Sequence, residues 1–375
     1  MPDLHHLPQC KFFHQITIDG SFPMNRQPSD IVVALSGGLD SSAAAALLKM
    51  KGWSVHGLYL ILPASDSTTG NRIKSVKAVT DHLQIPLEMI DLKEEFSASV
   101  IEPFINAYSK GLTPNPCVLC NEKIKFRHLQ LYAQQNNIPF MATGHYVRSI
   151  TSRGVTELWR GKDEAKDQSY FLQRLNRDSL LTTVFPLGGM TKKAVRSVSL
   201  ELGLPCREMK ESQEICFLPD ENYRIFLENR FQSRIDMTGN IINSQGEKLG
   251  EHNGIHRYTI GQRHGLGISS PRPYYVKEIR PETCEIVVGR KEELFSQSVY
   301  AELFNWISPL PSSNEPNLKA QIRYRHRAAS GRLTLRGSDS VCFEFDEPQP
   351  AVTPGQALAV YEGDRLIGGG WITKE

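Results

Sequence analysis

Between residues 30 and about 145, short apolar runs alternate with longer amphipathic segments. Runs rich in Ile, Val, Leu and Met predict strands at 31–35, 55–62, 86–91 and 139–143. Segments of helical period between them predict helices at 41–51, 71–84, 94–110 and 121–136. This alternation is the βαβ rhythm of a doubly wound parallel sheet, whose ligands bind at the carboxyl ends of strands. Ser36-Gly37-Gly38-Leu39-Asp40-Ser41-Ser42 follows the first predicted strand, and Ala142-Thr143-Gly144-His145-Tyr146 closes the fourth. The topology therefore predicts that these two segments share one crevice.

Residues 165–219 predict further helices, the clearest at 191–202 with Gly203 as its C-terminal stop. From about residue 221 the texture changes to Gly, Pro and short β-branched runs such as Tyr274-Tyr275-Val276 and Glu285-Ile286-Val287-Val288. Val341-Cys342-Phe343-Glu344-Phe345 is the clearest alternation near the end. The expected fold class is an α/β N-terminal domain with a doubly wound parallel sheet, a small β-rich middle domain and a C-terminal β-barrel, a sandwich being the alternative. The expected limits are an extension at 1–28, a catalytic domain at 29–220, a middle domain at 221–294 and the barrel at 295–375.

The loop after the first strand carries the most chemistry. A strand, a glycine turn and a helix N-terminus present backbone N–H groups and a positive dipole end to an anion. Gly37 and Gly38 let the backbone approach a phosphate closely. Ser36, Ser41 and Ser42 add hydroxyls, and Asp40 is suited to cap the helix or help hold a metal ion. The loop lacks both the Gly-Lys-Ser/Thr end of a Walker loop and the spacing of a dinucleotide fingerprint.

Composition narrows the setting. The chain has 375 residues, of which 40% are hydrophobic, enough for two or three domains with real cores. No apolar run approaches the roughly 20 residues that cross a bilayer, so no membrane partner is expected. Residues 1–28 lack the apolar core of a signal peptide. A net charge of +2 gives no global field for nucleic acid, so such a partner needs local patches. Arg323, Arg325, Arg327, Arg332 and Arg336 form one, with Tyr324 inside it and no acidic residue between. Seven unevenly spaced cysteines suggest a reducing cytosol rather than a disulfide framework.

Two of the cysteines stand in informative contexts. In Thr113-Pro114-Asn115-Pro116-Cys117-Val118-Leu119-Cys120-Asn121, the prolines force an extended approach into a helix expected near Asn121. That would place Cys120 near a helix N-terminus with Lys123 and Lys125 close by, a setting that lowers a thiol pKa. A structural zinc site would need four ligands, and no second Cys-x-x-Cys exists. Glu211-Ser212-Gln213-Glu214-Ile215-Cys216-Phe217 is the second context.

The combination resembles the tRNA-specific 2-thiouridylase (MnmA) family of the ATP pyrophosphatase, or PP-loop, superfamily. SGGLDSS, PNPCVLCNEKIKF, ATGHY, KDQSYFL and ESQEICF carry the resemblance, joined later by YTIGQRHGLGI (258–268) and VTPGQ (352–356). It implies a cytoplasmic enzyme that adenylates the C2 oxygen of the wobble uridine of tRNA with ATP and Mg²⁺. A persulfide on Cys216, charged by a sulfur-donor protein, would then replace that oxygen, with Cys120 as second thiol, either transferring protons or resolving the persulfide as a Cys120–Cys216 disulfide. The resemblance assigns Ala34, Leu35, Ser36, Gly37, Gly38, Leu39, Asp40, Ser41, Leu60 and Gly144 to ATP. It assigns Asn115, Pro116 and Cys117 to the target base. His145, Lys166, Asp167, Gln168, Arg323, Tyr324 and Gln356 correspond to tRNA contacts.

Cys117 departs from the pattern, because many family members carry Asp there. Cys117, Cys120 and Cys216 are therefore an alternative ligand set for an iron–sulfur cluster. The segment Ile61-Leu62-Pro63-Ala64-Ser65-Asp66 departs as well, and residues 1–28 lie outside the resemblance. Cys10, Cys206, Cys284 and Cys342 match no motif. Two other functions compete with thiolation: another adenylating PP-loop enzyme, such as an amidotransferase or small-molecule synthetase, and a tRNA-binding module with a relic nucleotide loop. The first would not need Cys120 and Cys216, and the second would release no pyrophosphate.

Overall fold

The computed structural model describes residues 28–152, 155–205, 215–218, 223–231, 238–309 and 317–374. Most of the N-terminal extension, Cys10, Cys206 and the Glu211–Glu214 part of the second cysteine motif lie outside the described residues. The chain divides into two compact units, one of Met1–Phe96, Cys120–Phe217 and Asp364–Leu366, the other of Ser97–Leu119, Leu218–Gly363 and Ile367–Glu375.

The first unit is built on β1 (Asp30–Leu35), α1 (Leu39–Met50), β2 (Ser54–Ile61), α2 (Asp66–Leu83), β3 (Leu87–Asp91) and β4 (Phe140–Ala142). A hairpin of β5 (Val147–Ser152) and β6 (Val155–Arg160) follows, then the two-residue β7 (Thr183–Val184). The sheet order is β3-β2-β1-β4-β7, and every neighbouring pair is parallel. Chain direction across the sheet reverses between β1 and β4, which makes their carboxyl ends the switch point. Ile31, Val32 and Val33 in β1 are fully buried. That explains a continuous apolar run in place of an alternating one, each such side chain contributing about 1.5–3 kcal/mol by burial. Ala43 to Leu48 of α1 are likewise buried in the core against β1 and β2.

Two helices begin earlier than the sequence pattern predicts. Helix α2 starts at Asp66 because the Ser65 hydroxyl caps it, accepting from the Thr68 amide at 3.3 Å. Helix α3 runs through Pro116–Cys120, a π-helical turn at Asn121–Lys125, and Phe126–Gln135. Its start is fixed by Asn115, whose Oδ1 accepts from the Val118 amide at 3.4 Å, and by Pro116 in the first turn. Cys120 is thus one turn inside the helix, a correction to the expected start near Asn121, and the N-terminal position falls to Cys117. Helix α4 (Lys192–Glu201) lies where predicted, capped by Thr191 and followed by Gly203 at φ +61°.

In the second unit, β8 (Gly239–Asn243), β9 (Lys248–His252), β10 (Tyr275–Arg280) and β11 (Glu285–Gly289) form a sheet of order β10-β11-β8-β9. Next come β12 (Phe295–Trp306), β13 (Leu318–Gln321), β14 (Ala329–Leu335), β15 (Val341–Pro350), β16 (Ala357–Glu362) and β17 (Arg365–Thr373). Their order, β12-β15-β14-β13-β16-β17, closes through a β12–β17 pairing into a six-stranded barrel, which decides against a sandwich. Val299, Phe343, Phe345, Leu358, Val360 and Ile367 fill its core.

Candidate active site

Chemistry concentrates where β1 ends. Gly37 takes φ +79°, and a Cβ there would meet the Arg72 carbonyl oxygen at 3.1 Å, so the turn is built for glycine. Gly38 occupies the N-cap of α1 and has no side chain to cap the first-turn N–H groups. Ser41 and Ser42 instead donate to the Gly38 carbonyl at 3.1 and 2.9 Å. The Ser36 and Ser41 hydroxyls lie 3.1 Å apart, and the Ser36 amide donates to Ser41 Oγ at the same distance. Ser75 of α2 donates to the Gly37 carbonyl at 2.8 Å, pinning the loop from outside. The result is a rigid, hydroxyl-lined turn at a helix N-terminus, suited to phosphate oxygens.

The segment after β4 meets this loop, as the topology predicts. An added Cβ on Gly144 would sit 2.8 Å from the Asp40 carbonyl carbon and the Ser41 nitrogen. Asp40 is not the helix cap. Its Oδ1 accepts from the Tyr146 hydroxyl at 2.7 Å and from Lys192 Nζ at 2.6 Å. Leu60 lies near the carboxyl end of β2, paired with Ile90 of β3.

His145 hydrogen-bonds through Nδ1 to Thr143 Oγ1 at 2.9 Å, and its ring stacks on Phe126 with centroids 5.9 Å apart. Burial, helped by the Lys125 charge, pushes its pKa down to about 3, so the imidazole is neutral at physiological pH. Gln168 is locked to Tyr146, whose amide donates to Gln168 Oε1 at 2.9 Å. The buried Asp167 carboxylate accepts from the Gly161 amide, the Ser169 amide and hydroxyl, and Arg160 Nη1, all within 3.1 Å. Its side chain organises the Lys166–Gln168 segment and points inward. The same loop grips α3: Arg174 forms a bidentate pair with Glu122 at 2.6 and 3.2 Å, and Asn121 Nδ2 donates to the Phe171 carbonyl at 3.2 Å.

Cys117 is exposed, Cys216 half-buried and Cys120 only 4% exposed; none of the three is in a disulfide, nor are Cys284 and Cys342. Cys120 and Cys216 fall in the same unit as the glycine loop, and Arg72 of α2 reaches the Cys216 carbonyl at 3.5 Å. Among the described residues no group of three His, Cys, Asp or Glu side chains is gathered to hold a metal ion.

Within the second unit the Gly111–Pro114 segment that leads into α3 is held from two sides. Gln356 Nε2 donates to the Thr113 carbonyl at 2.8 Å and the Pro114 carbonyl at 3.4 Å, while the Thr113 amide donates to the Pro354 carbonyl at 3.0 Å. Gly111 abuts Ile279, where a Cβ would come within 2.8 Å. Arg323 donates to the carbonyls of Pro350 and Ala351 at 3.2 and 3.4 Å. Tyr324, Arg325, Arg327, Arg332 and Arg336 are exposed. Reading the sequence missed the roles of Tyr146 and Lys192; Tyr146 was visible as the last residue of ATGHY, whereas Lys192 had no signal beyond its place at a helix start.

A hydroxyl-rich glycine loop at the switch point of a parallel sheet defines a nucleotide-binding α/β protein of the PP-loop class. Residues 29–220 match the family model "tRNA methyl transferase HUP domain", 224–290 the "tRNA methyl transferase PRC-barrel domain", and 296–372 the "Aminomethyltransferase beta-barrel domain". The chain is 42% identical to the tRNA-specific 2-thiouridylase MnmA of Syntrophotalea carbinolica over 93% of its own length and all of that protein. It is 41% identical to the protein of the same name from Geotalea uraniireducens, over 93% of this chain and 96% of that one. The chain belongs to the tRNA-specific 2-thiouridylase MnmA family. Among solved structures, the U34-tRNA thiolase NcsA from Methanococcus maripaludis is similar at 14% identity and a TM-score of 0.34, over 55% of this chain and 65% of that one; a likeness that weak bears on neither site nor reaction.

Proposed function

We propose that this protein is an ATP-dependent tRNA-uridine 2-sulfurtransferase acting on the wobble uridine. The observation that carries the reading is one compact unit holding the Ser36–Ser42 loop, the Gly144 crossing and both Cys120 and Cys216. Family membership along nearly the whole chain supports it.

The loop from Ala34 to Ser41, with Leu60 and Gly144, holds ATP. Mg²⁺ would neutralise charge on the triphosphate, and Asp40, the carboxylate of the Ser36–Ser42 loop, would help hold it. The uridine C2 oxygen attacks the α-phosphorus, the bond to pyrophosphate breaks, and the N3 proton leaves to water. The terminal sulfur of a Cys216 persulfide then attacks C2, and AMP departs with the former C2 oxygen. Cys120 thiolate attacks the Cys216 sulfur, leaving the second sulfur on C2 and a Cys120–Cys216 disulfide. A dithiol reductant restores both thiols, and a cytoplasmic persulfide-carrying protein recharges Cys216.

Asn115, Pro116 and Cys117 meet the target base, which must leave the anticodon stack to be reached. His145, Lys166, Gln168, Arg323, Tyr324 and Gln356 meet tRNA, and Asp167 holds the Lys166–Gln168 segment in shape. The domains run 29–220, 221–294 and 295–375, after an extension at 1–28. The test is an anaerobic assay of a tRNA transcript with ATP, Mg²⁺ and a persulfide donor, on protein of recorded iron content. Uridine thiolated at C2 by iron-free protein is expected. Thiolation only after iron–sulfur reconstitution would replace the persulfide route with a cluster on Cys117, Cys120 and Cys216. Pyrophosphate release without any thiolation would point to another adenylation substrate.

A further inference from the structure

We propose that Lys192 is a working part of the phosphate cradle: its ammonium, paired with Asp40 in the structure, bears on the β-phosphate of ATP and on the pyrophosphate that leaves. The proposal rests on the reading of the Ser36–Ser42 loop as the ATP site.

The Lys192 side chain is 8% exposed, whereas that of its partner Asp40 is 35% exposed. A buried ammonium therefore reaches outward to a carboxylate at the open side of the loop. Its position is fixed at the backbone, where the Lys192 amide donates to Asp163 Oδ2 at 2.8 Å and Thr191 caps the helix. Its Nζ also lies 5.8 Å from the centroid of the Tyr146 ring, and the Tyr146 hydroxyl shares Asp40 Oδ1 with it. Lysine, carboxylate and phenol thus converge within the first turn of α1, beside the Gly144 crossing.

The charge balance asks for such a group. Mg²⁺ would offset charge on the triphosphate itself; Asp40 adds a further negative charge at the loop, and the Lys192 ammonium paired with it offsets that one. A buried ion pair contributes little net stability against an apolar replacement, so stability alone does not account for Lys192. In adenylation the uridine oxygen forms a bond to the α-phosphorus while the bond to the bridging oxygen breaks, and the electron pair leaves on pyrophosphate. An ammonium already fixed beside the β-phosphate stabilises that growing charge without reorganising.

The experiment compares wild type, Lys192→Met and Lys192→Arg in tRNA-dependent pyrophosphate release, with KM for ATP, inhibition by added pyrophosphate and thermal midpoint measured together. Lys192→Met is expected to lower kcat on the order of 100-fold, the scale of losing one preorganised charge donor. KM for ATP should move much less, and inhibition by pyrophosphate should weaken at least about tenfold, in line with that donor binding the leaving group. Lys192→Arg should recover part of both. Unchanged pyrophosphate inhibition in Lys192→Met, or a fall in thermal midpoint as the only effect, would overturn the proposal. Should Lys192→Met not fold, the same two kinetic readouts on Lys192→Arg and Lys192→Gln decide it, equal values for the pair counting against a role for the charge. Failure of wild type to release pyrophosphate would instead remove the ATP reading itself.

Discussion

Gly144 and Asp40 touch backbone to backbone: a methyl group on Gly144 would lie 2.8 Å from the Asp40 carbonyl carbon. No flexible side chain stands there to yield, so the two loops at the ends of β1 and β4 are held in one arrangement. Gly144→Ala is predicted to push them apart, at a stability cost of about 1–3 kcal/mol. Pyrophosphate release should fall at least about tenfold, as expected when reacting groups are misplaced by an ångström. Kinetics and urea unfolding on the same preparation check both numbers, and a fully active Gly144→Ala enzyme would contradict the crossing's role.

Asp167 gathers four donors onto a buried carboxylate, including an ion pair with Arg160 at 2.8 Å. Asp167→Ala leaves those donors without their acceptor and is predicted to destabilise the protein on the order of 3 kcal/mol. The urea midpoint should drop accordingly. A change below about 0.5 kcal/mol, the scale of ordinary surface substitutions, would show that the segment holds its shape without Asp167.

The parallel sheet and the glycine turn at its switch point were legible because β1 is a continuous buried apolar run that ends in that turn. The starts of α2 and α3 were not, because Ser65 and Asn115 read as loop residues until their side-chain oxygens are seen to accept the Thr68 and Val118 amides. The β5–β6 hairpin went unread although Val147–Ser152 and Val155–Arg160 are short and partly alternating. Lys192 and Asp40 lie 152 residues apart, and no local pattern announces such a pairing.

His145 makes stability depend on pH. Its folded value of about 3 lies below the ordinary 6.5, so between those values the unfolded chain binds a proton that the folded protein does not. Stability is therefore fully present above about pH 6.5 and is lost as pH falls toward 3. His145→Phe should flatten the slope of unfolding free energy between pH 7 and pH 5 by up to one proton. Parallel slopes for variant and wild type would place the titration elsewhere.

Gln356 ties the segment before α3 to the barrel through the carbonyls of Thr113 and Pro114. Gln356→Leu removes both hydrogen bonds and is predicted to cost about 1–2 kcal/mol. Limited trypsin digestion should cleave after Lys110 faster in the variant, with α1 and the phosphate loop unaffected. Equal cleavage rates would mean that the Thr113–Pro354 hydrogen bond alone keeps the segment in place.

The central claim is that adenylation and sulfur transfer are separate steps carried by separate residues. It is tested by measuring pyrophosphate and 2-thiouridine together in one reaction of Cys216→Ser with tRNA, ATP and a persulfide donor. Pyrophosphate release with no 2-thiouridine is expected, because the loop that activates uridine is intact and the sulfur carrier is gone. Near-normal 2-thiouridine from Cys216→Ser would contradict it.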